Sequence, residues 1–217
     1  MPLGKLVAEG FAVASVDYRL SPEAPFPAQV HDIKAAIRFL RAMANDYGYD
    51  PKHFAVAGSS AGGHLAALVG VTNGKKKLEG AVGVYQEQNS DVQAIVSLFG
   101  ASNLMSILEQ SKPQGLKMRV PALELFLGGQ PNEKPELAKL ASPIEHIDAH
   151  DPPLLLIHGD ADLQMPPEQS QELANAYKKA GLPVTLEIIQ GAVHGGEKFF
   201  DDKRIALMKT FLHDAFH

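Results

Sequence analysis

The chain has 217 residues, enough for one domain with a substantial core, and its 45% hydrophobic and 21% charged content is ordinary for a soluble globular protein. A formal net charge of −5 gives no electrostatic reason to expect nucleic-acid binding. Cysteine is absent, which excludes disulfides and thiolate metal sites, and no apolar run reaches membrane-spanning length.

In chain order, residues 3–9 read as the end of a helix stopped by Gly10. Phe11-Ala12-Val13-Ala14-Ser15-Val16 follows as a nearly continuous apolar strand, of the kind buried on both faces of a parallel sheet. Asp17-Tyr18-Arg19 ends it, and the prolines within 21–27 impose irregular structure. Val30, Ile33, Ile37, Leu40, Ala44 and Tyr47 recur at spacings of three and four, the stripe of one amphipathic helix closed by Gly48. Phe54-Ala55-Val56-Ala57 is a short buried strand. After a sharp turn, a run of small and aliphatic residues forms a helix. Residues 72–91 are polar and glycine-rich, a long surface loop with Lys75-Lys76-Lys77 at a solvated tip. Ala94-Ile95-Val96-Ser97-Leu98 is another buried strand.

Residues 101–150 have a different texture, with prolines at 113, 121, 131, 135 and 143 and short helical pieces around 122–127 and 135–140. They read as an excursion over the top of the sheet that borders a substrate pocket, not as a separate domain. Leu154-Leu155-Leu156-Ile157 is a buried strand, 167–180 a helix with proline in its first turn, and 184–189 the last strand. Residues 197–216 form the last helix, with Ile205, Met208, Leu212 and Ala215 as its buried stripe. Apolar strands alternating with helices predict an α/β fold of one domain over 1–217, a three-layer sandwich around a mostly parallel sheet. In such sheets the chemistry gathers beyond the carboxyl ends of the strands.

The turn after the second strand is Gly58-Ser59-Ser60-Ala61-Gly62. Strand, Gly-x-Ser-x-Gly and helix, in that order, make a nucleophile elbow, which strains Ser60 and lifts its hydroxyl above the strand ends. Gly58 and Gly62 flank it where a β-carbon is expected to collide with the crossing strand or helix. The helix directs its free N–H groups and positive dipole end at Ser60, which suits a developing negative charge.

A serine hydroxyl needs a base within hydrogen-bond reach, and the base needs a group that fixes its tautomer. In an elbow fold the order along the chain is serine, acid, histidine. Asp162 follows the strand ending at Ile157, and His194 follows the strand ending at Ile189 between Gly191 and Gly195-Gly196. Of nine histidines, His194 alone sits in such a loop. His64, one turn beyond Ser60, reads as packed or partly exposed, and His158 as shaping the acid loop. Asp162 lies further along its loop than Asp160, which reads as a turn residue bonding its own backbone. His146 and His150 have the spacing of two metal ligands on a helix, but Pro152-Pro153 points to a loop and no third ligand joins them. No metal and no cofactor is expected.

With these residues the chain resembles the α/β-hydrolase family, and within it the bacterial carboxylesterases that include hormone-sensitive-lipase-like and feruloyl-esterase-like enzymes. The resemblance rests on Asp17-Tyr18-Arg19-Leu20-Ser21-Pro22, Pro25-Phe26-Pro27-Ala28, Gly58-Ser59-Ser60-Ala61-Gly62-Gly63-His64-Leu65, Asp151-Pro152-Pro153, His158-Gly159-x-x-Asp162 and Gly191-x-x-His194-Gly195. It implies hydrolysis of small carboxylic esters through an acyl-enzyme. Ser60 attacks, His194 shuttles the proton, Asp162 orients His194, and the backbone N–H of Ala61 is one oxyanion donor. The family also carries a His-Gly-Gly-Gly-type segment on an earlier loop and a strand between those of Phe11 and Phe54. Neither is in this sequence, which reads as an N-terminally truncated version. Two outcomes are expected for the gap: the flanking strands pair directly, or a second copy of the chain covers the open edge as a homodimer. A prolyl-oligopeptidase-type peptidase and a weakly active or non-catalytic hydrolase-fold protein are the competing readings. Residues 1–10 lack the pattern of a signal peptide, so a cytoplasmic location is expected.

Overall fold

The computed structural model describes residues 2–217. A 3-10 helix, Pro2–Glu9, is followed by α1 (Ala28–Ala42), α2 (Ala44–Tyr47), β1 (Ala55–Ser59) and α3 (Ala61–Gly70). After β2 (Ala94–Leu98) come α4 (Ile107–Gln110), α5 (Pro113–Leu127) and α6 (Pro135–Leu140). The chain closes with β3 (Leu154–Gly159), α7 (Glu168–Lys179), β4 (Val184–Ile189) and α8 (Asp202–Phe216). The strands form one parallel sheet in the order β1-β2-β3-β4. Ser59 stands opposite Leu98, Leu98 opposite Ile157, and Gly159 opposite Ile189, so the carboxyl ends reach one rim together.

Strand alternation assigns the two faces. Ile95, Leu154 and Leu156 pack with Leu173, Ala174 and Tyr177 of α7 and Ala67 of α3. Val96, Leu98, Leu155 and Ile157 pack on the other face with Ile205, Met208 and Leu212 of α8 and with Leu6. A third cluster joins α1, α3 and the 101–150 excursion through Val30, Ile33, Leu68, Leu104, Ile107 and Leu123. Helices therefore cover both faces of β2 and β3, which are buried along their length. Among the described residues no helix is long and apolar enough to cross a membrane.

Several expectations need correction. Residues 11–16 form no strand: positions 12–15 are exposed and carry no ladder. The reason is the lack of a neighbour. Phe11 leans on the rings of His213 and Phe216, and Val16 and Tyr18 pack against the α1–α3 cluster. The segment thus runs past β1 without pairing to it, so the expected direct pairing does not occur. β1 itself is an edge strand of alternating exposure, not a buried one. Phe54 O accepts from Gln93 N and Ser60 N donates to Leu98 O. Alternate residues of a parallel strand face the same neighbour, so the backbone groups of Ala55, Ala57 and Ser59 point outward.

The first amphipathic helix breaks at Met43, and Tyr47 is 64% exposed, off the buried stripe. The last helix also splits: Asp201 caps α8 by accepting from Arg204 N, which leaves Glu197–Phe199 as a separate 3-10 turn. α5 starts nine residues earlier than the 122–127 piece, with Pro113 in its first turn and Pro121 inside it. The 72–91 loop is anchored, not merely solvated. Lys34 and Arg38 are buried on α1 beside Ile33 and Ile37. Lys34 Nζ donates to Thr72 O at 2.8 Å and to Ser90 Oγ at 3.3 Å, and both cations pair with Glu79.

Candidate active site

Ser60 sits between β1 and α3 at φ 54°, ψ −118°, a backbone conformation that costs an L residue strain. The bond from Ser60 N to Leu98 O (2.9 Å) ties the elbow to β2. A Cβ on Gly58 would lie 2.1 Å from Gly62 O, which explains that glycine. At Gly62 a Cβ would meet only Tyr18 Oη at 3.9 Å, so the expected collision is absent there. The crowded position is Gly63, where a Cβ would stand 2.6 Å from Leu98 O.

The structure brings Ser60, Asp162 and His194 together from three strand ends. Ser60 Oγ lies 2.7 Å from His194 Nε2, and His194 Nδ1 lies 2.7 Å from Asp162 Oδ2. The carboxylate can only accept, so Nδ1 carries the proton and Nε2 is the acceptor for the serine O–H. Asp162 is fully used: Oδ1 accepts Gln164 N at 2.8 Å and Met165 N at 2.9 Å, and Oδ2 also faces His158 Nε2 at 3.4 Å. Burial pushes its carboxyl up, but the bonds from His158, His194 and Met165 outweigh burial and hold it well below the usual carboxylate range. The His194 loop rests on the acid loop because Gly159 has no side chain. A Cβ there would lie 2.2 Å from Ala192 O. Asp160 does not bond its own turn as expected; its Oδ1 accepts from Gly191 N at 2.6 Å and so ties the acid loop to the histidine loop.

Chemically, a hydroxyl, an imidazole and a low-pKa carboxylate in line can pass a proton from oxygen to nitrogen while the carboxylate stabilises the imidazolium. Ala61, the residue after Ser60, is the first of α3, and its N–H has no acceptor within the helix. Among the described residues no cluster of three His, Asp or Glu side chains could hold a metal ion.

Two further residues support this triad: Phe99 was not singled out from sequence, and His158 was expected to shape the acid loop. Phe99, at φ 40°, sets its ring edge-on to His194 at 4.8 Å and to Phe199 at 4.5 Å, and so limits the imidazole's rotation. Its position at a strand end before Gly100 was the only signal available. His158 is fully buried, with Nδ1 2.7 Å from Ser170 Oγ and Nε2 3.1 Å from Met165 O. It therefore braces the Asp162 loop from below. His64 is buried and packed: Nε2–H donates to Ala141 O at 2.7 Å, and burial pushes its pKa down to about 4, so it is neutral.

Beside Ser60 opens a cavity of about 160 Å³, the size that admits a benzene-sized group. One wall is a single stripe of α5 — Arg119, Ala122, Leu123 and Phe126 — joined by Leu104, Ile107 and Met165. Tyr18, Leu20, Ser21 and Gln29 also line the cavity, with Ser60 and Ala61. Tyr18 is held there because Arg19 forks onto Asp32 of α1, Nε to Oδ2 at 2.8 Å and Nη2 to Oδ1 at 2.7 Å. Gln29 donates Nε2–H to Ala24 O at 2.7 Å, which fixes the amide and leaves its buried Oε1 without a partner. Arg119 donates Nη2–H to Gln164 O at 2.9 Å, and its Nε is buried without a partner.

The BD-FAE family model matches residues 1–177, a stretch that includes Ser60 and Asp162. Esterase LipC of Mycobacterium tuberculosis is 32% identical over 195 residues, which span 89% of this chain and 47% of that protein. Among solved structures, a truncated form of a carbohydrate esterase from gut microbiota is similar at TM-score 0.89 and 38% identity, covering 99% of this chain and 76% of that one. The propionate-bound thermophilic esterase Est2 of Thermogutta terrifontis is similar at TM-score 0.70 and 30% identity, covering 91% of this chain and 70% of that one. The chain spans between 40% and 47% of the length of the first curated relatives it matches. On family model, relatives and fold together, the chain belongs to the BD-FAE family, within the α/β-hydrolase carboxylesterases.

Proposed function

We propose that the chain is a serine esterase that hydrolyses small carboxylic esters through an acyl-enzyme. The observation that carries the reading is the pair of 2.7 Å contacts linking Ser60 Oγ to His194 and His194 to Asp162. Ser60 Oγ attacks the ester carbonyl carbon as His194 Nε2 takes its proton. Ala61 N–H faces the oxyanion of the tetrahedral intermediate, and the dipole of α3 adds to it. His194 then protonates the leaving alcohol. Water, deprotonated by His194, releases the acid and restores Ser60. The cavity volume and the apolar part of its lining, Leu104, Ile107, Leu123 and Phe126, suit a short acyl or aryl group.

The test is hydrolysis of p-nitrophenyl acetate and butyrate by this chain beside Ser60→Ala. A loss of at least about 10³-fold in kcat is expected for the variant, and equal rates would end the esterase reading. The same reading places a second copy of the chain against the outward backbone groups of Ala55, Ala57 and Ser59, since a two-fold axis makes such an edge its own complement. A purely monomeric sedimentation profile would remove the dimer and leave the chemistry standing.

A further inference from the structure

Arg119 is a cation that nothing in the fold neutralises. It heads the α5 stripe that forms the cavity wall, among Leu104, Ile107, Leu123 and Phe126. One of its five donors goes to Gln164 O, and its Nε–H is buried and unpaired. Asp162 is the carboxylate nearest in influence, but it is not the counter-ion. Both its oxygens are already taken, by Gln164 N and Met165 N on one and by His194 and His158 on the other. The bond to Gln164 O does not require a charge, since a neutral amide would serve. Arg119 is partly buried and has no carboxylate of its own, and a guanidinium beside apolar walls presents a fork that matches a carboxylate.

We propose that Arg119 sets the specificity of this cavity, and that the ester it takes carries a carboxylate on the portion lodged against α5. The inference rests on the esterase reading given above. The small cavity limits the spacer between that carboxylate and the reacting carbonyl to a few carbons. Ser60 acts at one end and Arg119 holds the other, so hydrolysis proceeds as already written and releases a product that keeps the negative charge.

The test compares mono-p-nitrophenyl adipate, a monoanion, with its neutral methyl ester, in the wild type, Arg119→Gln and Arg119→Lys. The readout is the ratio of kcat/KM for the two esters within each protein. A wild-type ratio of about 10 to 100 in favour of the monoanion is expected, falling towards one in Arg119→Gln and partly kept in Arg119→Lys. Raising the salt should lower the wild-type ratio. A second arm titrates Ser60→Ala with monomethyl adipate and with dimethyl adipate by calorimetry. The monoanion is expected to bind more tightly, and Arg119→Gln in that background should abolish the difference. A wild-type ratio of one or less, a ratio unchanged in Arg119→Gln, or equal binding of the two adipates overturns the proposal. Should Arg119→Gln not fold, the wild-type ratio and the two titrations decide. Should no protein hydrolyse either ester, the esterase reading falls and the titrations alone judge Arg119.

Discussion

Asp162→Asn removes one charge and changes nothing in volume, so its effect can be followed atom by atom. Oδ1 of Asp162 accepts two backbone N–H groups, Gln164 at 2.8 Å and Met165 at 2.9 Å. In the variant the amide oxygen must keep that place, because an NH₂ there would face two donors. The NH₂ group then occupies the position of Oδ2 and points at His194 Nδ1, now 2.7 Å away. A donor there forces Nδ1 to accept and moves the imidazole proton to Nε2. Nε2–H facing Ser60 Oγ cannot receive the serine's proton. His158 suffers too, since its Nε2 lies 3.4 Å from the same oxygen and donates towards it. The expected loss is about 10³–10⁴ in kcat, or about 4–5.5 kcal/mol of barrier, with KM changed less than about threefold. Mispaired donors around a buried group should also lower stability by about 1–3 kcal/mol, which melting reads as about 2–4 °C per kcal/mol. Steady-state kinetics on p-nitrophenyl butyrate supply the assay, with Asp160→Asn as the comparison. That side chain is exposed and bonds Gly191 N, so its variant should stay within about tenfold of the wild type. An Asp162→Asn enzyme as fast as Asp160→Asn would refute the orienting role.

Ser60→Gly should melt higher than Ser60→Ala by about 1 kcal/mol, because glycine adopts the φ of 54° without strain; equal melting temperatures would contradict the strain. Gly63→Ala should cost about 1–3 kcal/mol as its Cβ pushes on Leu98 O, whereas Gly62→Ala should be neutral within about 0.5 kcal/mol; chemical denaturation of both variants measures the contrast. Burial pushes the Asp151 carboxyl up to about 6, above its unfolded value near ~4. The folded chain therefore holds a proton that the unfolded chain has released, and stability falls as pH rises through that window. Asp151→Asn keeps the acceptor for Asp148 N and should exceed the wild type at neutral pH by on the order of 1–2 kcal/mol, but not at about pH 4; a pH-independent difference would count against it.

How far the sequence could be read follows from what each residue type reports. Glycines at strand ends announce tight loops, and Ser60, Asp162 and His194 are chemistry-bearing side chains delivered by such loops, so their meeting at one rim was readable. β2, β3 and β4 were readable because apolar runs between turn residues have few other uses. Residues 11–16 had the same signature and form no strand, because apolarity reports an ability to be buried while a strand also needs a neighbour to bond. Lys34 and Arg38 were unreadable for the opposite reason. They share a helix face with Ile33 and Ile37, and Glu79 together with the carbonyls of Thr72 and Val82 and the Ser90 hydroxyl, all brought in by a loop, makes their burial tolerable. Arg119 belongs with them: two prolines hid the helix that carries it, and no local pattern marks a cation whose partner is not in the chain. Chemistry at the rim is thus written in short motifs, whereas selectivity is written in one helical stripe that only the packed excursion turns towards Ser60. A change of substrate in this fold should accordingly come from 119, 122, 123 and 126, with the three rim residues left untouched.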